Sequence, residues 1–203
     1  MEKLVYSPIA NLAVNVLLAV VWGFFAVQQI QGFIATGIYA LLVFCFSETL
    51  QAVFFLFRSQ PKTVSVDPFS WLVAIGGTFA ALCFRPGGAM LSKGGEAVLI
   101  VGVVIQIIAL LSLNRSFALV AAKREVKTSG LYRFVRHPMY ASYVISYAGY
   151  LLFNWSLLNL ACFGFAMIFM VLRISEEEKI LIADSLYQTY AKEVPFRLLP
   201  LIY

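Results

Sequence analysis

The run MYASYVISYAGYLLFNWSLLNLACFGFAMIFMVL, Met139–Leu172, spans 34 residues without one Asp, Glu, Lys or Arg. A helical crossing of a bilayer takes roughly 20 apolar residues, so this run is too long for one ordinary crossing. Asn154-Trp155-Ser156 interrupts it near the middle and reads as a tight turn. Each half is then about 15 residues, roughly 23 Å at 1.5 Å per residue. Those lengths fit a helical hairpin that dips into the bilayer and returns. Basic clusters at both ends favour a return to the same side.

Composition agrees with a membrane chain. Apolar residues make up 62% and charged residues 12%, against roughly 45–50% and 25% in soluble domains. Upstream, apolar runs near Pro8–Val27, Phe33–Phe57, Trp71–Phe84 and Glu96–Leu113 predict about four transmembrane helices. The third is short and extends toward Pro68. Its Gly76, Gly77, Ala80 and Ala81 suit close helix packing. The N-terminal run is too long for a signal-peptide core and reads as a retained first crossing. Past the hairpin, Ile180, Leu181, Tyr187, Tyr190 and Val194 form an apolar stripe on an amphipathic C-terminal helix. The expected architecture is thus an all-α integral membrane fold: four crossings, a hairpin and an amphipathic tail. It forms one domain over 1–203, with 1–113 as scaffold and 114–203 as the catalytic half.

Basic residues set the orientation. The expected first loop, Gln28–Gln31, has none. Arg58 and Lys62 mark the second, and Arg85 and Lys93 the third. The segment Arg115–Arg136 carries six, which places it, and the N-terminus with it, on the cytoplasmic side. A multi-pass protein of a prokaryotic inner membrane is expected, with its site facing the cytoplasm. The net charge of +5 reads as contact with anionic lipid headgroups rather than nucleic acid. Cys45, Cys83 and Cys162 lie singly in apolar runs, and His137 is the only histidine, so no metal site is expected.

Two charged clusters flank the hairpin, where charge is expensive and needs a reason. One is Gly130-Leu131-Tyr132-Arg133-Phe134-Val135-Arg136-His137-Pro138-Met139-Tyr140; the other is Arg173-Ile174-Ser175-Glu176-Glu177-Glu178. Pro138 suits the first turn of a helix. Tyr140, Tyr143, Tyr147 and Tyr150 then share one face. Tyr140 reads as a site residue, Tyr147 and Tyr150 as packing. The glutamates suit either the first turn of a surface helix or the capture of a cation, such as a sulfonium ligand with an α-ammonium group.

The elements Leu113-Asn114-Arg115-Ser116-Phe117, Val126-Lys127-Thr128-Ser129-Gly130-Leu131-Tyr132 and Arg136-His137-Pro138-Met139-Tyr140 resemble the isoprenylcysteine carboxyl methyltransferase family. That family is similar here to the phospholipid methyltransferases. Glu177-Glu178-x-x-Leu181, Tyr187-x-x-Tyr190 and Arg197-Leu198-x-Pro200 continue the resemblance. It implies S-adenosyl-L-methionine as cofactor, held by His137, Tyr140, Glu177 and Glu178. Lys127, Gly130, Leu131 and Tyr132 would cradle the adenosyl part. Ser142 and Asn114 stand where many relatives carry glycine, and Ser142 would narrow the pocket.

The implied reaction is methyl transfer to a lipophilic or lipidated substrate taken from the bilayer. A carboxylate acceptor, as in an isoprenylcysteine-like acid, is already ionised near neutral pH and needs no base. A phospholipid amine would need deprotonation, by a glutamate or His137. Arg173, Glu177 and Arg136 are the expected catalytic residues, with Arg173 or Arg136 orienting an anionic acceptor. Glu48, within the second crossing, either lines the substrate cavity or pairs with Asn11 or Asn15. The alternatives are a small-thiol methyltransferase, an NADPH-dependent enzyme similar to sterol reductases, and a non-enzymatic membrane protein.

Overall fold

The computed structural model describes residues 8–57, 63–64, 67–113, 122–123 and 126–200. Asn114, Arg115, Ser116 and Phe117 of the first motif lie outside the described residues, as do Arg58, Lys62 and the side chains of Asn11 and Asn15. The helices are α1 (Pro8–Thr36), α2 (Tyr39–Phe57), α3 (Pro68–Ala80), α4 (Gly94–Leu113), α5 (Pro138–Phe153), α6 (Leu157–Leu181) and α7 (Ser185–Glu193). Short 3₁₀ turns cover Ala81–Cys83 and Gly130–Arg133. Among the described residues the helices are joined by one two-residue antiparallel pair, β1 (Thr63–Val64) with β2 (Ala122–Lys123).

Among the described residues, two helices are long and apolar enough to cross a membrane: α4 and α6. Of the four expected crossings α4 is one of these two, and α6 is the longer arm of the hairpin. Residues 20–36, 39–53 and 68–83 are shorter apolar stretches. The outer surface is apolar as well. On α4, Ile100, Val101, Val104, Ile108 and Leu111 are all exposed, an outward stripe that water would penalise and lipid would not.

The first predicted loop falls inside a helix. Gln28–Gln31 belongs to α1, which runs on to Thr36 and turns at Gly37, where φ is 70°. The positive φ suits glycine. Gln29 is fully buried instead of facing water. Its amide donates to Phe84 O at 3.3 Å and accepts from the Tyr150 hydroxyl at 3.3 Å. A glutamine so satisfied can sit in an apolar core, which composition alone does not reveal.

The hairpin turn lies where the sequence places it, between α5 and α6. Its backbone is tied to the chain before α4: Ala89 and Trp155 exchange N–H···O bonds of 2.8 and 2.7 Å. Asn154 Nδ2 and Asn159 Nδ2 both donate to Arg85 O, at 2.7 and 2.9 Å. These bonds satisfy the polar backbone of the turn against the loop that precedes α4. The two arms are unequal, with 16 residues in α5 and 25 in α6. So Glu176–Glu178 stand on the last turns of α6, not at the start of a surface helix, and Ile180 and Leu181 close α6 rather than open the tail helix.

The tightest seam joins α4 to α5. A Cβ at Gly149 would collide with the backbone of Leu99, and one at Gly102 with Ser146. The glycines let the two backbones meet closely. Gly76 plays this part between α3 and α6, where a Cβ would strike the Phe169 ring. The α3–α6 contact brings Ser70 and Thr78 beside the polar end of α6.

Candidate functional site

Pro138 opens α5 at its first turn, leaving His137 at the N-cap. The preceding backbone is fixed by the C-terminal segment: Arg136 N–H donates to Phe196 O at 2.9 Å and His137 N–H to Arg197 O at 2.8 Å. The tail thus pins the Arg-His-Pro element to the rest of the protein. Facing it across the hairpin are the last turns of α6.

Glu178 stands at the centre. His137 Nε2 lies 3.2 Å from its Oε1, Arg136 Nε 2.9 Å from the same oxygen, and Arg197 Nε donates to Oε2 at 2.8 Å. The Tyr187 hydroxyl adds a bond to Oε1 at 3.3 Å. Glu177 is one residue on and differently held. Tyr140 donates to its Oε1 at 2.5 Å and Arg173 Nε to that oxygen at 3.3 Å, while Oε2 has His137 Nδ1 only at 3.9 Å. Arg173 also donates to Thr78 at 3.2 Å and lies 5.4 Å above the Tyr140 ring. Its charge is spread over a carboxylate, a hydroxyl and an aromatic face.

The glutamate triplet does not present three open carboxylates to a ligand. Glu176 is taken by Lys179 at 2.5 Å and by Ser70 at 2.8 Å, and Glu178 by two arginines and the His137 ring. Glu177 Oε2 has His137 Nδ1 no nearer than 3.9 Å, whereas Glu176 Oε2 accepts from Ser70, and the Glu177 side chain is the most open of the three, at 19%.

The predicted site residues divide. Arg136, His137, Tyr140, Arg173, Glu177 and Glu178 converge. Tyr132 joins them through α7: the Tyr190 hydroxyl donates to Tyr132 O at 2.7 Å, and Tyr132, Tyr187 and Tyr190 pack together. Burial first, and then the nearby Glu177 charge, raises the Tyr132 phenol well above its ordinary range. Burial also lifts Tyr190 to about 12, with Glu178 adding to it against the pull of Arg136. These phenols stay neutral donors at any physiological pH.

Leu131 instead turns inward, against the Ala109, Leu110 and Met139 cluster. Gly130 is exposed and left-handed, with φ 62°, and a Cβ there would press on Ser112. Lys127 is half-buried on the extended stretch before it. Ser142 is fully buried with its hydroxyl donating to Met139 O at 2.6 Å. Tyr147 and Tyr150 lie in the main core with Phe44 and Phe84. Arg197 was legible only as part of a resemblance, with no role attached. Ser70 and Thr78 carried no signal, because the α3–α6 contact that delivers them depends on the fold.

Residues 89–189 match the family model described as phospholipid methyltransferase. The match takes in α4, the Arg-His-Pro element, both hairpin arms and the glutamates. No curated protein matches the chain.

Proposed function

We propose that the chain is a multi-pass membrane methyltransferase that uses S-adenosyl-L-methionine to methylate a lipophilic acceptor drawn from the bilayer. The observation that carries this is Glu177. It is a carboxylate at the end of an apolar helix, braced through one oxygen by Tyr140 and Arg173, with its second oxygen open toward His137. Such a group suits the α-ammonium of an amino-acid-bearing cofactor. The family match over 89–189 supports the same assignment.

When bound, the cofactor supplies a methyl group activated by a positively charged sulfur. Glu177, His137 and Tyr140 would hold it, with Tyr132 and the exposed backbone at Thr128–Gly130 beside its adenosyl part. Glu178 acts one step back. By holding Arg136, His137 and Arg197 it sets the position of the His137 ring and ties the tail across the site. Leu131 serves packing. Arg173 is the residue best placed to orient an acceptor, since it stands between Glu177 and the interior of the helix bundle.

Two acceptor readings follow. An isoprenylcysteine-like acid would pair with Arg173 and need no base; a phospholipid amine fits the matched family. Incubating the purified protein with methyl-labelled cofactor and extracted membrane lipid tests both. Label released by mild alkali as methanol identifies an ester, and alkali-stable label identifies an N-methyl product. Absence of label in any lipid would sink the proposal.

A further inference from the structure

Trp22 of α1, Glu48 and Gln51 of α2, Tyr143 of α5 and Arg173 of α6 line a cavity of about 20 Å³ between the helices. Three of these residues carry a buried polar atom with no hydrogen-bond partner among the described residues: Trp22 Nε1, Glu48 Oε1 and Gln51 Nε2. The residues are 6%, 3% and 6% exposed. Nearby hydroxyls do not serve them. Tyr143 donates to Gln51 Oε1 at 2.5 Å, which leaves the NH₂ as the open end of that amide. Ser47 and Thr49 bond back to their own helix, at Phe44 O and Cys45 O. An unmet buried polar group is costly to leave, so three around one cavity point to an occupant.

The three atoms define the chemistry of that occupant. Trp22 Nε1 and Gln51 Nε2 are N–H donors, and Glu48 Oε1 is an acceptor. An occupant that meets all three accepts twice and donates once, which is the capacity of one hydroxyl. An ammonium leaves both N–H groups unmet and faces the Arg173 guanidinium. A carboxylate sets one carboxyl group against another. An ether oxygen meets the donors and brings no proton to Glu48. Size agrees, since a cavity of about 20 Å³ holds one group as large as a water molecule. Arg173, held by Glu177 at 3.3 Å and Thr78 at 3.2 Å, adds positive charge on the side of the oxygen lone pairs.

We propose that this cavity is a subsite for a free hydroxyl carried by the lipophilic substrate. The hydroxyl oxygen accepts from Trp22 and Gln51, and its proton is donated to Glu48. That the molecule bound here is a substrate rests on the methyltransferase reading above. The cavity has no room for an O-methyl product, so the hydroxyl is recognised rather than methylated. Phe46 and Val53 of α2 and Leu72 and Ile75 of α3 are exposed apolar residues on the helices around it, which suits an alcohol with an apolar body. Trp22, Glu48 and Gln51 all precede residue 89, outside the family-matched segment. Hydroxyl selection is thus built into the N-terminal helices. Arg173 both lines this cavity and holds Glu177, so the two sites share a wall.

The test is a titration of the detergent-purified, nitrogen-labelled full chain with hexanol, pentyl methyl ether, hexylamine and hexanoate at equal micellar concentrations. The Trp22 indole N–H resonance, assigned by its loss in Trp22→Phe, reports the cavity directly. Hexanol is expected to shift it saturably, at least about tenfold more tightly than the other three probes. Glu48→Met removes the acceptor at similar volume and should weaken hexanol by about tenfold. It should move S-adenosylhomocysteine affinity, measured by calorimetry, by no more than about twofold. An indole resonance that hexanol leaves unmoved, an equal response to the ether, or hexanol affinity indifferent to Glu48→Met would overturn the proposal and leave a bridging water as the occupant. The hexanol–ether comparison needs only the wild type, so it decides the matter even where a variant fails to fold. Selective hexanol binding without S-adenosylhomocysteine binding would keep the hydroxyl site and defeat the methyltransferase reading. S-adenosylhomocysteine binding without hexanol selectivity would do the opposite.

Discussion

Tyr140 donates its hydroxyl to Glu177 Oε1 at 2.5 Å, so a phenol from one arm of the hairpin braces a carboxylate from the other. With Arg173 on the same oxygen, Oε2 is the free end of the group. Glu177→Gln should lower S-adenosylhomocysteine affinity by about tenfold or more, the scale of one charge-assisted bond. Its stability cost should stay near 1 kcal/mol, because Arg173 keeps Thr78 and the Tyr140 ring. Calorimetry paired with thermal unfolding in one detergent separates the two effects.

Glu178 should behave in the opposite way. It is the shared partner of Arg136, His137 and Arg197, with 13% of its side chain exposed. Removing one member of such a buried cluster leaves cations unpaired, at a cost of roughly 3 kcal/mol. Glu178→Gln should therefore depress the unfolding midpoint well beyond the Glu177→Gln value. Equal midpoints would contradict the division of labour between the two carboxylates.

The seam between α4 and α5 makes a third prediction. Gly149→Ala places a methyl against the Leu99 backbone, which cannot yield as a side chain would. A loss of about 1–3 kcal/mol is expected from such overpacking. Gly164→Ala on α6 has nothing within 4 Å of the new carbon. It should be neutral or gain up to about 0.5–1 kcal/mol from helix propensity. Unfolding midpoints of the two variants measured side by side check the contrast.

Tyr190 supplies the fourth. Its hydroxyl bonds Tyr132 O at 2.7 Å and holds α7 over the cradle. Tyr190→Phe should cost about 1 kcal/mol and raise hydrogen exchange in residues 126–134 and 185–194 before the rest of the chain. Uniform exchange across the protein would show that α7 does not act as this clasp.

Much of this was legible in the linear chain, for physical reasons that differ by element. The uncharged run from Met139 to Leu172 could only fold back on itself, and Asn154 and Ser156 marked where. Arg136, His137, Tyr140 and Glu177 stood out because charge beside lipid demands a purpose. Gln29 misled, since a polar residue between apolar runs looks like a loop until Phe84 O and Tyr150 are found beside it. The partners of Glu178 were hidden differently: Arg197 reaches it only after the tail has paired with Arg136 and His137. Gly102 and Gly149 gave no warning, because their seam joins helices separated in sequence by the whole cradle.

The central claim is that His137 and Glu177 belong to a cofactor site, and titration of the detergent-purified protein with S-adenosylhomocysteine addresses it most directly. Saturable binding by the wild type, lost in both His137→Ala and Glu177→Ala while each variant still unfolds cooperatively, is the expected result. No binding by a cooperatively unfolding wild type, or full affinity in both variants, would contradict it.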